Sequence, residues 1–168
     1  SPKLERAILG EDPQYDAVQV AEAANVGVDD ARRFWRALGF PEYAGEVAFT
    51  TADAEALAKV VHVVGTGVLD LDTAVNLTRA VGQTMARLAD WEVATLVNRI
   101  EQIEQGKDAS GSRIDTALRL VDAVNEPFEQ LLIYAWRRHL AAAASRAEAL
   151  GANEEDLQAV LGVAVARA

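Results

Sequence analysis

The side chains in this sequence with the types to do chemistry are two histidines, a short arginine run and several carboxylate pairs. His62 and His139 lie far apart in the chain, and neither has a second histidine or a carboxylate three or four residues away, the spacing at which a helix presents two metal ligands. Gly106-Lys107 lacks the earlier glycine and the following Ser or Thr of a phosphate-cradling loop. Asp29-Asp30 and Glu154-Glu155-Asp156 read as helix starts, where complementing the helix dipole accounts for them. No catalytic residues, no metal site and no cofactor are therefore expected. His139 is a different matter. It closes the run Tyr134-Ala-Trp-Arg-Arg-His139, so a proton gained there is felt by Arg137 and Arg138. Histidine, with an ordinary pKa of about 6.5, switches charge in the mildly acidic range. The pH-switch candidates are His139, Arg138 and Arg137, with His62 as a second histidine on a mostly apolar helix.

A second set of residues has the chemistry of a lipid site. Met85, Leu88, Trp91, Phe128, Leu131, Leu132 and Trp136 are large and apolar. The plain reading makes them core. The sharper reading lets them line an acyl-chain channel at a subunit interface, with an Arg or Lys nearby to hold the carboxylate.

These residues must be positioned by helices. Hydrophobic residues make up 51% of the 168, with 6% aromatic, so much of the apolar content is alanine and an all-α fold with close helix packing is expected. From Asp16 to Phe40 the chain reads as helix, tight turn, helix: Asp16 caps the first, Gly27 permits the turn, Asp29 or Asp30 opens the second and Gly39 ends it. Val18, Val20, Ala21, Val26, Ala31, Phe34, Trp35 and Leu38 supply the faces that join the pair. Thr50 or Thr51, with Asp53 as capping-box acid, starts a helix that Gly65 and Gly67 stop. Asp70–Asp72 opens a long one to about Gln105, with Leu77, Val81, Met85, Leu88, Leu96, Ile100 and Ile103 as its apolar stripe and a kink expected near Gly82. The Gly-rich stretch 105–112 reads as a loop or hinge, and Ser112 caps the next helix. That helix is expected to end near Asn125, with Pro127 in the first turn of another that continues to Leu150. The 128–136 segment is apolar nearly all round and needs protein on most sides, which a second copy of the chain in a homodimer supplies. The expected division is a helix-turn-helix subdomain over 1–48, a helical regulatory and dimerisation domain over 49–156, and an apolar tail or linker over 157–168.

The net charge of −10 repels phosphate backbones and anionic membranes. No apolar run reaches the roughly 18 residues of a membrane span. The absence of cysteine suits a reducing compartment, and a cytoplasmic location is expected. The start Ser1-Pro2-Lys3 and the apolar finish at Ala168 lead to the expectation of an excised segment.

Two resemblances follow. Tyr15–Phe40 looks like the opening unit of the MerR group of DNA-binding domains; there Arg32, Arg33 and Arg36 would be the phosphate or base contacts. Against them stand Asp16, Glu22, Asp29 and Asp30, for a net −1. The alternative this offers is a DNA-binding transcriptional regulator with a helical effector domain. The wider resemblance is carried by Ile8-Leu9-Gly10-Glu11-Asp12, Tyr15–Glu22 and Arg36–Gly39, then by Ala54-Glu55-Ala56, Arg79–Gln83, Gln130-Leu131-Leu132 and Arg137-Arg138-His139. Together they resemble the N-terminal regulatory domain of actinobacterial class III adenylyl cyclases of the pH- and fatty-acid-responsive type. The resemblance implies an all-helical homodimer, a fatty acid as ligand, and a C-terminal cyclase domain of the same chain as the partner it restrains. Arg137 matches the arginine of the family's Arg-His pair, while Arg138 stands at the histidine's place and His139 follows, turned by about 100°. The aspartate-bearing first strand of a cyclase domain has no counterpart in Leu161–Ala168, so this segment is expected to be non-catalytic.

Overall fold

The computed structural model describes residues 2–105 and 112–151. The described residues form six helices and no strand: α1 (Pro2–Leu9), α2 (Ala17–Ala23), α3 (Val28–Leu38), α4 (Thr51–Gly65), α5 (Leu71–Glu104) and α6 (Ser112–Leu150). The all-α expectation holds. The chain divides into two compact units, Ser1–Val121 and Asp122–Ala168, with the boundary inside α6. Both the apolar tail expected over 157–168 and the loop expected over 105–112 fall, wholly or mostly, outside the described residues.

Local chemistry sets most helix ends. The Asp16 carboxylate accepts from the Gln19 amide at 2.9 Å, and the Gln19 side chain accepts from the Asp16 amide at 2.9 Å, a reciprocal cap at the start of α2. Asp53 accepts from the Thr50 amide at 2.7 Å and opens α4. Gly39 is left-handed at φ 82°, and the amides of Gly39 and Phe40 return to the carbonyls of Arg36 and Trp35, closing α3. The α2–α3 turn departs from expectation. Its left-handed residue is Asn25 at φ 56°, whereas Gly27 has an ordinary φ of −66° and serves as the N-cap of α3. Asparagine tolerates the left-handed region because its short polar side chain bonds locally.

Asp70 caps α5 by accepting from the Thr73 amide at 2.7 Å. That backbone hydrogen bond, with a second from the Thr73 side chain, holds the Asp70 carboxyl below its ordinary value. A lowered folded-state value means the cap is fully in place above the unfolded carboxylate value of about 3.9 and is lost as pH falls through the folded one. Amide exchange at Thr73, corrected for intrinsic pH dependence, is therefore expected to lose protection below about pH 4, and an Asp70→Asn variant to show a weaker dependence there.

The core of the first unit gathers Val20, Ala21, Ala31, Phe34, Trp35, Phe49 and Leu57 from α2, α3, α4 and the 40–49 loop. An isolated antiparallel bridge between Tyr15 and Phe49 ties that loop back to the start of α2. It seats Phe49 on Trp35, ring centroids 4.3 Å apart and stacked. Val18, expected in this core, is exposed instead.

The long helix α5, about 51 Å at 1.5 Å per residue, runs without interruption through Gly82. Its buried face is built from Ala74, Val75, Thr78 and Gly82, small or β-branched side chains that let α3 come close. At Gly82 an added Cβ would lie 2.6 Å from the Leu38 carbonyl carbon and 2.7 Å from its Cα. The glycine expected to kink α5 is thus the point where the end of α3 crosses it. Leu77, Val81 and Met85, expected to face the core, are exposed beside that face. Arg33 reaches Asp72 at 2.7 Å, tying α3 to the first turn of α5.

Two longer reaches escape any local reading. Glu11 accepts from both the amide and the hydroxyl of Thr51, so a residue 40 positions upstream caps α4. Near the end of α5, the carboxylate of Glu104, 5% exposed, accepts from the hydroxyl of Thr116, 2% exposed. Arg119 donates to that hydroxyl at 3.1 Å, and Arg113 meets Glu101 at 2.9 Å, so α5 and the first turns of α6 are joined by polar contacts.

In the second unit α6 continues through Pro127 where a break was expected. A proline inside a helix forgoes one backbone bond and crowds the carbonyl four residues back, a cost of about 3 kcal/mol. Here the helix carries it rather than ending at Asn125, and the unit boundary lies about one turn upstream.

Candidate functional site

Helical register sorts the expected lipid residues into two arcs, one per unit. On α5, Met85, Leu88 and Trp91 share a face with Leu77 and Val81 spanning about 120° at 100° per residue. Leu88 is half-buried, while Met85 and Trp91 are exposed. On α6, Phe128, Leu131, Leu132 and Trp136 fall within an arc of about 140°. Phe128 and Leu132 are half-buried, and Leu131 and Trp136 exposed, Trp136 by 60%. Each triad or quartet is thus gathered by its own helix, and on α5 Glu92 falls in the same arc one turn beyond Leu88.

The same register dissects the Arg-Arg-His run. His139 lies at the middle of the Phe128–Leu132–Trp136 arc, following Phe128, Leu132 and Ala135 at helical spacing. Arg138 is turned about 100° from it, at the edge of the apolar arc, and Arg137 about 160° away. All three are exposed. His139 is therefore placed on the apolar face, with Arg138 the nearer of the two arginines in register. His62 is exposed on α4 in the first unit.

Ile133 lies within the 128–136 segment that the sequence marks for a dimer, while Leu140 was not singled out. With Trp136 they form a stripe within about 60° on α6, and they are 51% and 53% exposed. The apolar letters of this stretch are plain in the sequence, but so many stand together that no period marks which face stays uncovered. The stripe passes into Ala143, Ala144 and Ala147, small residues that allow another helix to approach closely.

The three arginines of the α2–α3 pair each have a carboxylate beside them. Arg33 is engaged with Asp72; Arg32 lies 3.8 Å from Asp29, and Arg36 lies 3.8 Å from Glu42. Among the described residues no three His, Asp or Glu side chains converge, and no helix is long and apolar enough to cross a membrane.

No family model matches the chain. Three curated proteins do align along most of it. An adenylate cyclase of Streptomyces coelicolor is 35% identical over 164 residues, which are 98% of this chain and 42% of that protein. An adenylate cyclase of Streptomyces griseus is 35% identical over 153 residues, covering 91% of this chain and 38% of the relative. One from Glutamicibacter nicotianae is 36% identical over 144 residues, 85% and 35% of the two chains. The chain thus spans about two fifths of the length of the curated relatives it matches.

Proposed function

We propose that this chain is a non-catalytic regulatory domain of a class III adenylate cyclase, working in the cytoplasm as a homodimer that restrains a cyclase domain of the same polypeptide. The observation that carries the reading is the alignment itself: nearly the whole chain is similar to less than half of a protein named adenylate cyclase, and the described residues of this part form helices and no strand. The exposed Ile133, Trp136 and Leu140 stripe supports the dimer, since side chains of that size on one face of a long helix lower their free energy by covering each other. The neighbouring arc of Phe128, Leu131 and Leu132 in the second unit supplies apolar surface for a fatty acid, and Met85, Leu88 and Trp91 on α5 supply a separate apolar surface in the first. His139, inside that arc and flanked by Arg138, is the group through which protonation would oppose or favour the apolar contact.

Regulation of this kind biases two states, and the ligand or proton must bind them unequally. A tenfold change in cyclase rate needs about 1.4 kcal/mol of difference, which one histidine whose pKa differs by about one unit between the states supplies.

Denaturing extraction and mass spectrometry of the purified native chain tests the ligand. A fatty acid is expected at close to one per site, and it should fall at least severalfold in a Phe128→Ala, Leu132→Ala variant that keeps its helical content. A blank extract from wild type would remove the lipid from the reading. Cyclic AMP formation by the whole polypeptide that carries this segment tests the restraint: the same variant should change the rate, and an unchanged rate would remove α6 as the transmitting element. The DNA-binding alternative gains no support from arginines that each stand beside a carboxylate in a chain of net charge −10.

A further inference from the structure

Helix α3 and the 40–49 loop enclose a cavity of about 190 Å³ that the regulatory reading does not use. Its walls differ in chemistry. One carries Arg32 and Arg36, a single turn apart on the same face of α3. The other is aromatic: Trp35 stacks on Phe49, Tyr43 meets Phe49 edge-on with centroids 5.8 Å apart, and Phe40 completes the lining. The Tyr15–Phe49 bridge fixes the aromatic wall in place from the far side.

Neither guanidinium is saturated by the protein. Their carboxylate neighbours, Asp29 and Glu42, stand at 3.8 Å, beyond the roughly 2.7–2.9 Å of a charge-assisted hydrogen bond. The hydrogen bond that Arg36 makes, from Nε to the Arg32 carbonyl, is long at 3.4 Å. Among the described lining residues Glu42 is acidic against the two arginines, and Asp29 stands beside Arg32 just outside the lining. Two exposed, loosely paired guanidiniums beside stacked rings form a combination that solubility does not require.

We infer that this cavity binds a small aromatic carboxylate, its oxyanion between Arg32 and Arg36 and its ring against the aromatic wall. The volume is below the roughly 300 Å³ at which drug-sized sites begin, which limits the ligand to about a single ring and excludes a long acyl chain. Inorganic phosphate would use the arginines and leave the rings idle. The site stands apart from the cyclase reading and does not depend on it.

The test is titration of the ¹⁵N-labelled chain with phenylacetate, following the Trp35 indole resonance, assigned by its loss in Trp35→Phe. A saturable shift with half-saturation near or below about 1 mM is expected. Binding should weaken at least about tenfold in the Arg32→Ala, Arg36→Ala variant, because a hydrogen bond to a charged group is lost at each position. Both arginines are exposed, so the free variant should keep the wild-type spectrum elsewhere; Arg36→Gln alone serves if the double variant does not fold. An absent shift, an equal shift with the neutral phenylacetamide, the same shift with inorganic phosphate, or undiminished binding in the arginine variants would each overturn the assignment.

Discussion

Replacing Gly82 by alanine is expected to lower the unfolding free energy of the first unit by about 2 kcal/mol. An added Cβ would sit within 2.7 Å of the Leu38 backbone, and backbone, unlike the end of a flexible side chain, cannot swing aside. Overpacking of this kind costs about 3 kcal/mol at the upper end of the usual range, and the better helix propensity of alanine returns about 1. The position separates geometry from propensity when it is paired with Gly65. That residue is also in a helix, and an added Cβ there meets nothing within 4 Å. Gly65→Ala is expected to be neutral or stabilising by up to about 1 kcal/mol. Urea unfolding followed by helical circular dichroism measures both, with buried Trp35 as a fluorescent reporter of the α3 contact. Opposite signs for the two glycines are expected; a neutral Gly82→Ala would mean that α3 does not cross α5 this closely. Valine at position 82, larger and a weaker helix former, should be worse again.

The second large effect concerns self-association. Under the proposed dimer, Trp136→Ala with Leu140→Ala removes two of the three large side chains of the α6 stripe while keeping helix propensity high. Burying a large apolar side chain is worth about 1.5–3 kcal/mol, and a two-fold interface loses each of the two from both copies, so the dimer weakens by at least about 10²–10³-fold. Because both side chains are more than half exposed in the single chain, the fold of each copy should survive. Sedimentation at micromolar concentration should find wild type as a dimer and the variant largely as a monomer, with helical content unchanged. A wild-type chain that sediments as a monomer, or a variant that stays dimeric, would take α6 out of the interface. Ile133→Ala added to the pair should extend the effect, since it lies on the same stripe, whereas Leu131→Ala, about 160° from Ile133, should add little.

Helices α2 to α5 and most of their ends were legible because their causes lie within four residues, whereas α1 was not expected and α6 was expected as two helices. Asp16 with Gln19, Thr50 with Asp53, Asp70 with Thr73 and the left-handed Gly39 are each local hydrogen-bond arrangements that the order of residues spells out. The same locality misled at two places. Proline at 127 reads as a helix start, yet α6 absorbs its missing amide; glycine at 27 reads as the turn residue, yet Asn25 takes the left-handed conformation.

What the sequence by itself determined is a chain of short and long helices with definite caps, an acidic overall charge, and a markedly apolar stretch over 128–136. What only the tertiary structure decided is which side of each helix meets another. Gly82 admits α3 because two backbones converge there, Glu11 caps a helix that begins 40 residues later, and Arg33 is committed to Asp72. Leu77, Val81 and Met85 are as apolar as any core stripe, but the smaller neighbours Ala74, Thr78 and Gly82 took the packed face. Periodicity records that a helix has an apolar side; close packing, which rewards the surface that fits, selects the side that is buried.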